Sequence, residues 1–232
     1  PVTKFCKTIM NPYDLEIIFD EAIKISLEGK PGPVWVEIPL DVQSFNLDIK
    51  KIKKTKKNKK RNKRTNKISQ NLKNRILNLI SKSQKPIIIS GYGIRSAKAE
   101  KDLVEFINLT KIPLTTSWNT IDLINSSSEN VIGRSGVFGD RASNYAVQKC
   151  DLLIVLGSRM STAQVGYMDD MFSVNSKKIY VDISKKELNK PTFKADIKIQ
   201  EDVKIFLKSI NIELKKKHIK NNQFKKWREK VL

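Results

Sequence analysis

Between residues 69 and 212 the chain alternates short apolar runs with longer stretches of helical period. The clearest run is Asp151-Leu-Leu-Ile-Val-Leu-Gly157, which begins on a carboxylate and stops at a glycine. A run this short and this apolar predicts a strand buried on both faces, as in parallel sheets covered by helices. Pro86 to Ser90, Ile112 to Thr116, Lys178 to Ile183 and Ala195 to Ile199 predict further strands. The intervening segments place Leu72, Ile76, Leu79 and Ile80 on one helical face, and Leu103, Phe106 and Ile107 on another. A third helix is expected through Tyr145 and Ala146, and a fourth from Glu201 to Ile210. Strands separated by about a dozen residues of helical period imply βαβ units, right-handed crossovers and a mostly parallel sheet, hence an α/β fold.

The first 49 residues are different. Asn11-Pro12-Tyr13-Asp14 is a helix start, with Asn11 as cap, Pro12 at the first helical position and Asp14 at the positive end of the dipole. Leu15, Ile18, Phe19, Ala22 and Ile23 then share a face, Gly29 ends the helix, and Val34 to Ile38 predicts a strand stopped by Pro39. One helix and one strand bury too little to stand alone, so they are expected to complete a sheet whose other strands lie outside this chain. The opening Pro1-Val2-Thr3, without a methionine, likewise suggests a piece of something longer.

Charge changes the picture only locally. The formal net charge is +21, but residues 50 to 67 hold 12 Lys or Arg and no acid, leaving +9 for the rest. Such a block repels itself and is read as a disordered linker. A nucleic-acid-binding module is the alternative, although no aromatic residue interrupts the block to stack a base. A second basic cluster, Lys215 to Lys230, contains the single histidine, His218. No apolar run approaches the roughly 20 residues that span a bilayer. Cys6 and Cys150 form neither a disulfide framework nor a metal site, so a cytoplasmic setting is expected.

Several loops fall at expected strand ends on one side of the sheet. Gly91-x-Gly93 supplies two glycines of a dinucleotide fingerprint, with Ala97 nearest the third, and reads equally well as a tight strand-to-helix turn. Ser96 is a candidate cap for the helix that follows. Thr116 and Ser117, and Gly157 and Arg159, add backbone donors and a guanidinium group suited to phosphate. Asp182 suits either a ribose hydroxyl or a helix cap for residues 185 to 188. Cys150 is read as packing, and Tyr167, Met168, Met171 and Phe172 as core or subunit contact. No nucleophile, acid pair or metal set emerges, so neither a catalytic nor a metal site is assigned.

Lys30-Pro-Gly-Pro-Val-Trp-Val-Glu-Ile-Pro-Leu-Asp-Val-Gln43 resembles the end of the pyrimidine-binding domain of thiamine diphosphate enzymes of the acetolactate synthase type. Pro86 to Gly93, Gly133 to Gly136, Asn144 to Arg159, Val181 to Ser184 and Ala195 to Asp202 resemble their central domain, in the same order. Gly139 to Gln148 with Gln164 to Tyr167 is most similar to the branch found with polysaccharide biosynthesis genes. The resemblance implies four segments. Residues 1–49 end the pyrimidine-binding domain, and 50–68 are a basic linker. Residues 69–212 are a Rossmann-like central domain, and 213–232 a basic tail toward a diphosphate-binding domain. It also implies a parent enzyme that makes or breaks a carbon-carbon bond of a 2-oxo acid and works as a dimer or tetramer. Thiamine diphosphate and Mg²⁺ would be held there by residues outside this chain. In some relatives the central-domain crevice holds FAD or ADP, and the matching positions are Gly91, Gly93, Thr116, Ser117, Gly133, Arg134, Gly157, Arg159, Asp182 and Asp202. Here Met160-Ser161-Thr162-Ala163 replaces the acids and second arginine of acetolactate synthase, which counts against FAD. A stand-alone NAD-binding enzyme of sirtuin-like fold is the remaining alternative, though two cysteines cannot supply that class's four-cysteine zinc site.

Overall fold

The computed structural model describes residues 2–52, 68–125, 127–216 and 223–232. Most of the basic block and His218 lie outside the described residues, and with them the reading of 50–68 as a linker. The chain divides into two compact units, Pro1–Arg64 and Thr65–Leu232.

The first unit is a small βαβ arrangement. Strand β1 (Cys6–Thr8) and strand β2 (Trp35–Glu37) pair in parallel, in the register Cys6 to Trp35 and Thr8 to Glu37. Helix α1 (Leu15–Leu27) connects them, and a short helix α2 (Leu40–Gln43) follows. A single turn, Pro12–Asp14, precedes α1, and Asn11 Oδ1 caps it by accepting from the Tyr13 N–H at 3.0 Å. Of the face expected on α1, Ile18 and Ala22 are buried, Ile18 together with Ile9 and Val42 in a small core, whereas Phe19 and Ile23 remain exposed. The apolar face is wider than the unit's own elements can cover. Strand β1 has no sequence signal, because its residues Cys6, Lys7 and Thr8 are all exposed.

The second unit is built on six parallel strands. They are β3 (Pro86–Ser90), β4 (Leu114–Thr116), β5 (Val131–Arg134), β6 (Leu152–Leu156), β7 (Lys177–Asp182) and β8 (Ile197–Gln200). Their order across the sheet is β5-β4-β3-β6-β7-β8. Every residue of β3 and β6 is buried, as their unbroken apolar sequence predicts. The apolar side chains divide into two cores. One gathers Ile76, Leu103, Phe106, Phe206 and Leu207 against Ile88, Ile154 and Ile179. The other sets Ala146, Val147, Phe172 and Trp227 against Ile89, Val155 and Tyr180. Successive residues of a strand therefore feed opposite cores.

The helices are α3 (Gln70–Lys82), α4 (Gly93–Ser96), α5 (Glu100–Thr110), α6 (Arg141–Lys149), α7 (Thr162–Val165), α8 (Lys185–Leu188), α9 (Val203–Lys216) and α10 (Lys225–Val231). Three details depart from the sequence reading. Ser96 lies inside α4 and caps nothing, since α5 starts after Ala99 with no side-chain cap and carries Glu100 and Asp102 in its first turn instead. Val131–Arg134 forms a further strand, at the sheet edge, where the sequence reading expects none. The end of the basic tail forms α10, which buries Trp227 and Val231 in the second core while its lysines face outward. Among the described residues no helix is long and apolar enough to cross a membrane.

Candidate functional site

Strand order reverses between β3 and β6: the chain moves outward from β3 through β4 to β5, then returns to the other side of β3 as β6. In open α/β sheets such a switch point opens a crevice beyond the carboxyl ends of the two strands. The turns found there are Gly91-Tyr92-Gly93 after β3 and Gly157-Ser158-Arg159 after β6. The structure brings them into direct backbone contact. The Gly91 N–H donates to the Leu156 carbonyl oxygen at 2.9 Å, and the Gly93 N–H to the Gly157 carbonyl oxygen at 2.9 Å. A Cβ on Gly91 would lie 2.2 Å from the Ser158 Cα, and one on Gly93 2.7 Å from the Gly157 Cα. Gly157 itself adopts φ +58°. These glycines serve close approach of two turns, and both N–H groups proposed as phosphate donors are already used.

The remaining candidates are also committed to protein partners. Arg159 pairs with Glu187 at 3.2 Å, and Lys190 holds both Glu187, at 3.1 Å, and the Arg159 carbonyl oxygen. The Asp182 carboxylate accepts from the Ser184 N–H at 2.7 Å and so organises the β7–α8 turn, while Ser184 is the residue that caps α8. Asp202 accepts from the Lys204 N–H at 2.8 Å, the position of an N-cap on α9. Next to it, Glu201 is buried with one carboxylate oxygen unpartnered, and burial pushes its carboxyl above the usual range. Thr116 is buried and its carbonyl accepts from the Ser135 N–H, and the Ser117 hydroxyl meets that of Thr120 at 3.0 Å.

Gly133 and Arg134 belong to a clasp at the end of β5. The Asp140 carboxylate accepts from the Arg134 backbone N–H at 2.6 Å and from its guanidinium at 3.4 Å. The backbone N–H bond, more than the guanidinium, holds the Asp140 carboxyl below the usual range against the opposing effect of burial. A Cβ on Gly133 would lie 2.5 Å from the Asp140 Oδ2, so glycine is needed where the carboxylate folds back. The Asn144 side chain accepts from the Gly136 N–H and donates to the Gly136 carbonyl, each at 2.9 Å. Gln164 on α7 donates to the Ser135 hydroxyl at 2.7 Å, which in turn meets the Thr115 hydroxyl at 2.6 Å.

Asp140, Asn144, Gln164 and Glu187 were not among the sequence candidates. Only Asp140, next to Gly139 before a helical segment, carried a signal; the others act through loops whose course the sequence does not show. Of the cluster read as core or subunit contact, Phe172 is buried, whereas Tyr167, Met168 and Met171 are exposed. Cys150 is buried as expected, its thiol pushed up to about 11 by burial.

The ten candidate positions thus lie at the carboxyl end of one sheet, but the seam between β3 and β6 is closed by paired backbone. The residues present do not fit an FAD or ADP diphosphate cradled on Gly91 and Gly93. Fold and site define a doubly wound parallel α/β domain of the dinucleotide-binding architecture, its two switch-point turns joined by backbone hydrogen bonds. Residues 74–210 match the family described as thiamine pyrophosphate enzyme, central domain, and the chain belongs to that family.

Among curated relatives, the chain is similar to the probable acetolactate synthase large subunit of Methanocaldococcus jannaschii, 30% identical over 232 residues, which are 100% of this chain and 39% of that protein. It is similar to the acetolactate synthase large subunit of Cyanidium caldarium, 29% identical over 236 residues, covering 100% of this chain and 40% of the relative. It is also similar to the acetolactate synthase isozyme 2 large subunit of Escherichia coli, 29% identical over 210 residues, 90% of this chain and 36% of the relative. The chain spans about two fifths of the length of these relatives.

Proposed function

We propose that this chain is the central domain, with the end of the pyrimidine-binding domain, of a thiamine diphosphate-dependent enzyme of the acetolactate synthase type that makes or breaks a carbon-carbon bond of a 2-oxo acid. The observation that carries this reading is the extent of the similarity. It runs across both units of the chain, beyond the residues 74–210 that define the central domain. The exposed apolar side chains of the first unit, Ile23, Leu27 and Trp35, suit burial against further strands of the same domain. Neither a nucleic-acid-binding module nor a stand-alone NAD enzyme gains support from these relatives.

Thiamine diphosphate, bound in the complete enzyme, would supply a nucleophilic ylid carbon and an electron sink for carbanion chemistry at the 2-oxo carbonyl carbon. Among the described residues no group of three His, Cys, Asp or Glu is placed to hold a metal ion. We assign cofactor and Mg²⁺ binding to residues outside this chain, as the resemblance to thiamine diphosphate enzymes implies. The contribution of the second unit is a rigid body, its turns locked by the Gly93–Gly157 seam and the Asp140 clasp, against which catalytic domains and a second subunit can be held in register.

The test is to express the complete reading frame that contains this segment and to supply thiamine diphosphate, Mg²⁺ and pyruvate. Acetolactate is expected from the complete protein and none from the present chain. A complete protein that neither condenses nor decarboxylates 2-oxo acids overturns the reading.

A further inference from the structure

At the opposite edge of the second unit, by the amino ends of the strands, a cleft of about 530 Å³ opens between the α3–β3 turn and α10. That volume is within the usual range for small-molecule sites. Lys82 and Lys85 line one wall and Lys226 and Lys230 the other. Several lysines elsewhere in this unit pair with acids, among them Lys73 with Glu213, Lys177 with Asp196 and Lys215 with Glu105. Among the described residues, none of the four cleft lysines has a carboxylate partner. Glu229, on the same helix, is paired with Lys225 at 3.8 Å. Asp151 lies beneath the turn, and its two oxygens already accept from the Gln84 and Lys85 N–H groups at 2.7 and 2.9 Å.

The frame that carries these charges is fixed from three sides. Asp151 anchors the turn, the Gln223 amide donates to the Ser81 carbonyl at 2.7 Å, and the Trp227 indole N–H donates to the Pro86 carbonyl at 3.1 Å. Four like charges held around one concavity raise the local potential and concentrate anions. Ammonium groups distributed over both walls suit a chain of linked phosphates, which carries negative charge along its length. Trp227, the one aromatic side chain in the lining, is only 5% exposed and offers no face for stacking a nucleic-acid base.

We propose that this cleft binds a compact polyanion through its phosphoanhydride chain, at a site separate from the glycine turns at the other end of the sheet. The source is either a free polyphosphate or the triphosphate of a nucleotide. The experiment is calorimetric titration of the full chain with inorganic tripolyphosphate, and in parallel with ATP and adenosine. The Trp227 indole resonance serves as a local reporter because that N–H forms the cleft wall.

Saturable tripolyphosphate binding that shifts this resonance is expected. Affinity should fall on the order of tenfold or more in a K82Q/K85Q/K226Q/K230Q variant and by less than about threefold in a K24Q/K101Q/K194Q/K208Q variant, which removes equal charge from exposed positions elsewhere. ATP binding as tripolyphosphate does, with adenosine silent, identifies the phosphate chain as the recognised group. Tighter ATP with adenosine competing identifies a nucleotide as the source. Equal losses in the two variants, an unchanged affinity in the first, or an unmoved Trp227 resonance would each overturn the proposal in favour of diffuse attraction to the basic chain.

Discussion

The backbone N–H of Gly93 donates to the carbonyl oxygen of Gly157 across the point where strand order reverses, at 2.9 Å. Gly91 packs on the same turn so closely that a Cβ would lie 2.4 Å from that carbonyl oxygen. The two turns at the switch point are thus held together by backbone.

Replacing Gly91 by alanine is expected to force the turns apart and cost about 1–3 kcal/mol, the usual penalty for overpacking. Gly166, at φ +86° and ψ −179° with open space around its Cβ position, is the comparison: its alanine variant meets backbone strain alone, about 1–3 kcal/mol. Urea denaturation of both variants measures the difference. A Gly91 variant as stable as the parent chain would contradict the packed seam.

The same geometry predicts weak or no nucleotide binding at the carboxyl edge. The purified chain is expected to lack flavin absorbance, and in the K82Q/K85Q/K226Q/K230Q variant millimolar ADP is expected to leave the melting temperature unchanged. By contrast, a ligand present at a hundred times its dissociation constant stabilises by about 2.7 kcal/mol. An ADP-dependent rise in melting temperature that disappears in an Arg159→Gln variant, but survives neutralisation of the cleft lysines, would show the crevice to be open in solution.

The Asp140 clasp has a pH signature. Its carboxyl is held below the ordinary value of 3.8 in the folded state, chiefly by the Arg134 backbone N–H. The folded form therefore binds its proton less readily than the unfolded chain does. The resulting stability is present in full above pH 3.8 and fades as pH falls through the lower folded value. For a carboxylate that is 42% exposed, solvent screening limits the contribution to about 1 kcal/mol. The Asp140→Asn variant should lose that amount at neutral pH and converge on the parent chain in acid, as followed by denaturation at a series of pH values.

The two thiols should separate cleanly. Cys6 is exposed and Cys150 is buried, with a thiol pushed up to about 11 by burial and bonded to the Val147 carbonyl and the Ser173 hydroxyl. At pH 8 a disulfide reagent such as Ellman's is expected to consume one thiol rapidly and the second only after denaturant is added. Rapid reaction of both in the folded chain would place Cys150 in an open environment.

The unbroken runs of β3 and β6 were legible because strands buried on both faces need no neighbour to explain them: Ile87, Ile88 and Ile89, like Leu153, Ile154 and Val155, are apolar whichever core they feed. Strands β1 and β5 were not, for opposite reasons. The residues of β1 are all exposed, and the apolar part of β5 is Val131 and Ile132 before a glycine. Helix α10 was hidden by composition, since Trp227 and Val231 are two buried positions in a segment otherwise rich in lysine.

The chain's own residues were enough to determine the α/β class, the parallel sheet, the glycine turns at the carboxyl edge and the family to which they belong. Periodicity and punctuation are local properties, written residue by residue. Tertiary structure alone decided that Gly93 would face Gly157, that Asp182 and Asp202 would serve their own turns, and that Asp140, Asn144 and Gln164 would clasp the loop after β5. Hydrogen-bond donors and acceptors carry no mark of their partners. Whether a glycine N–H waits for a phosphate or already holds a carbonyl depends on a second turn more than sixty residues away, brought within 3 Å by the pairing of β3 with β6.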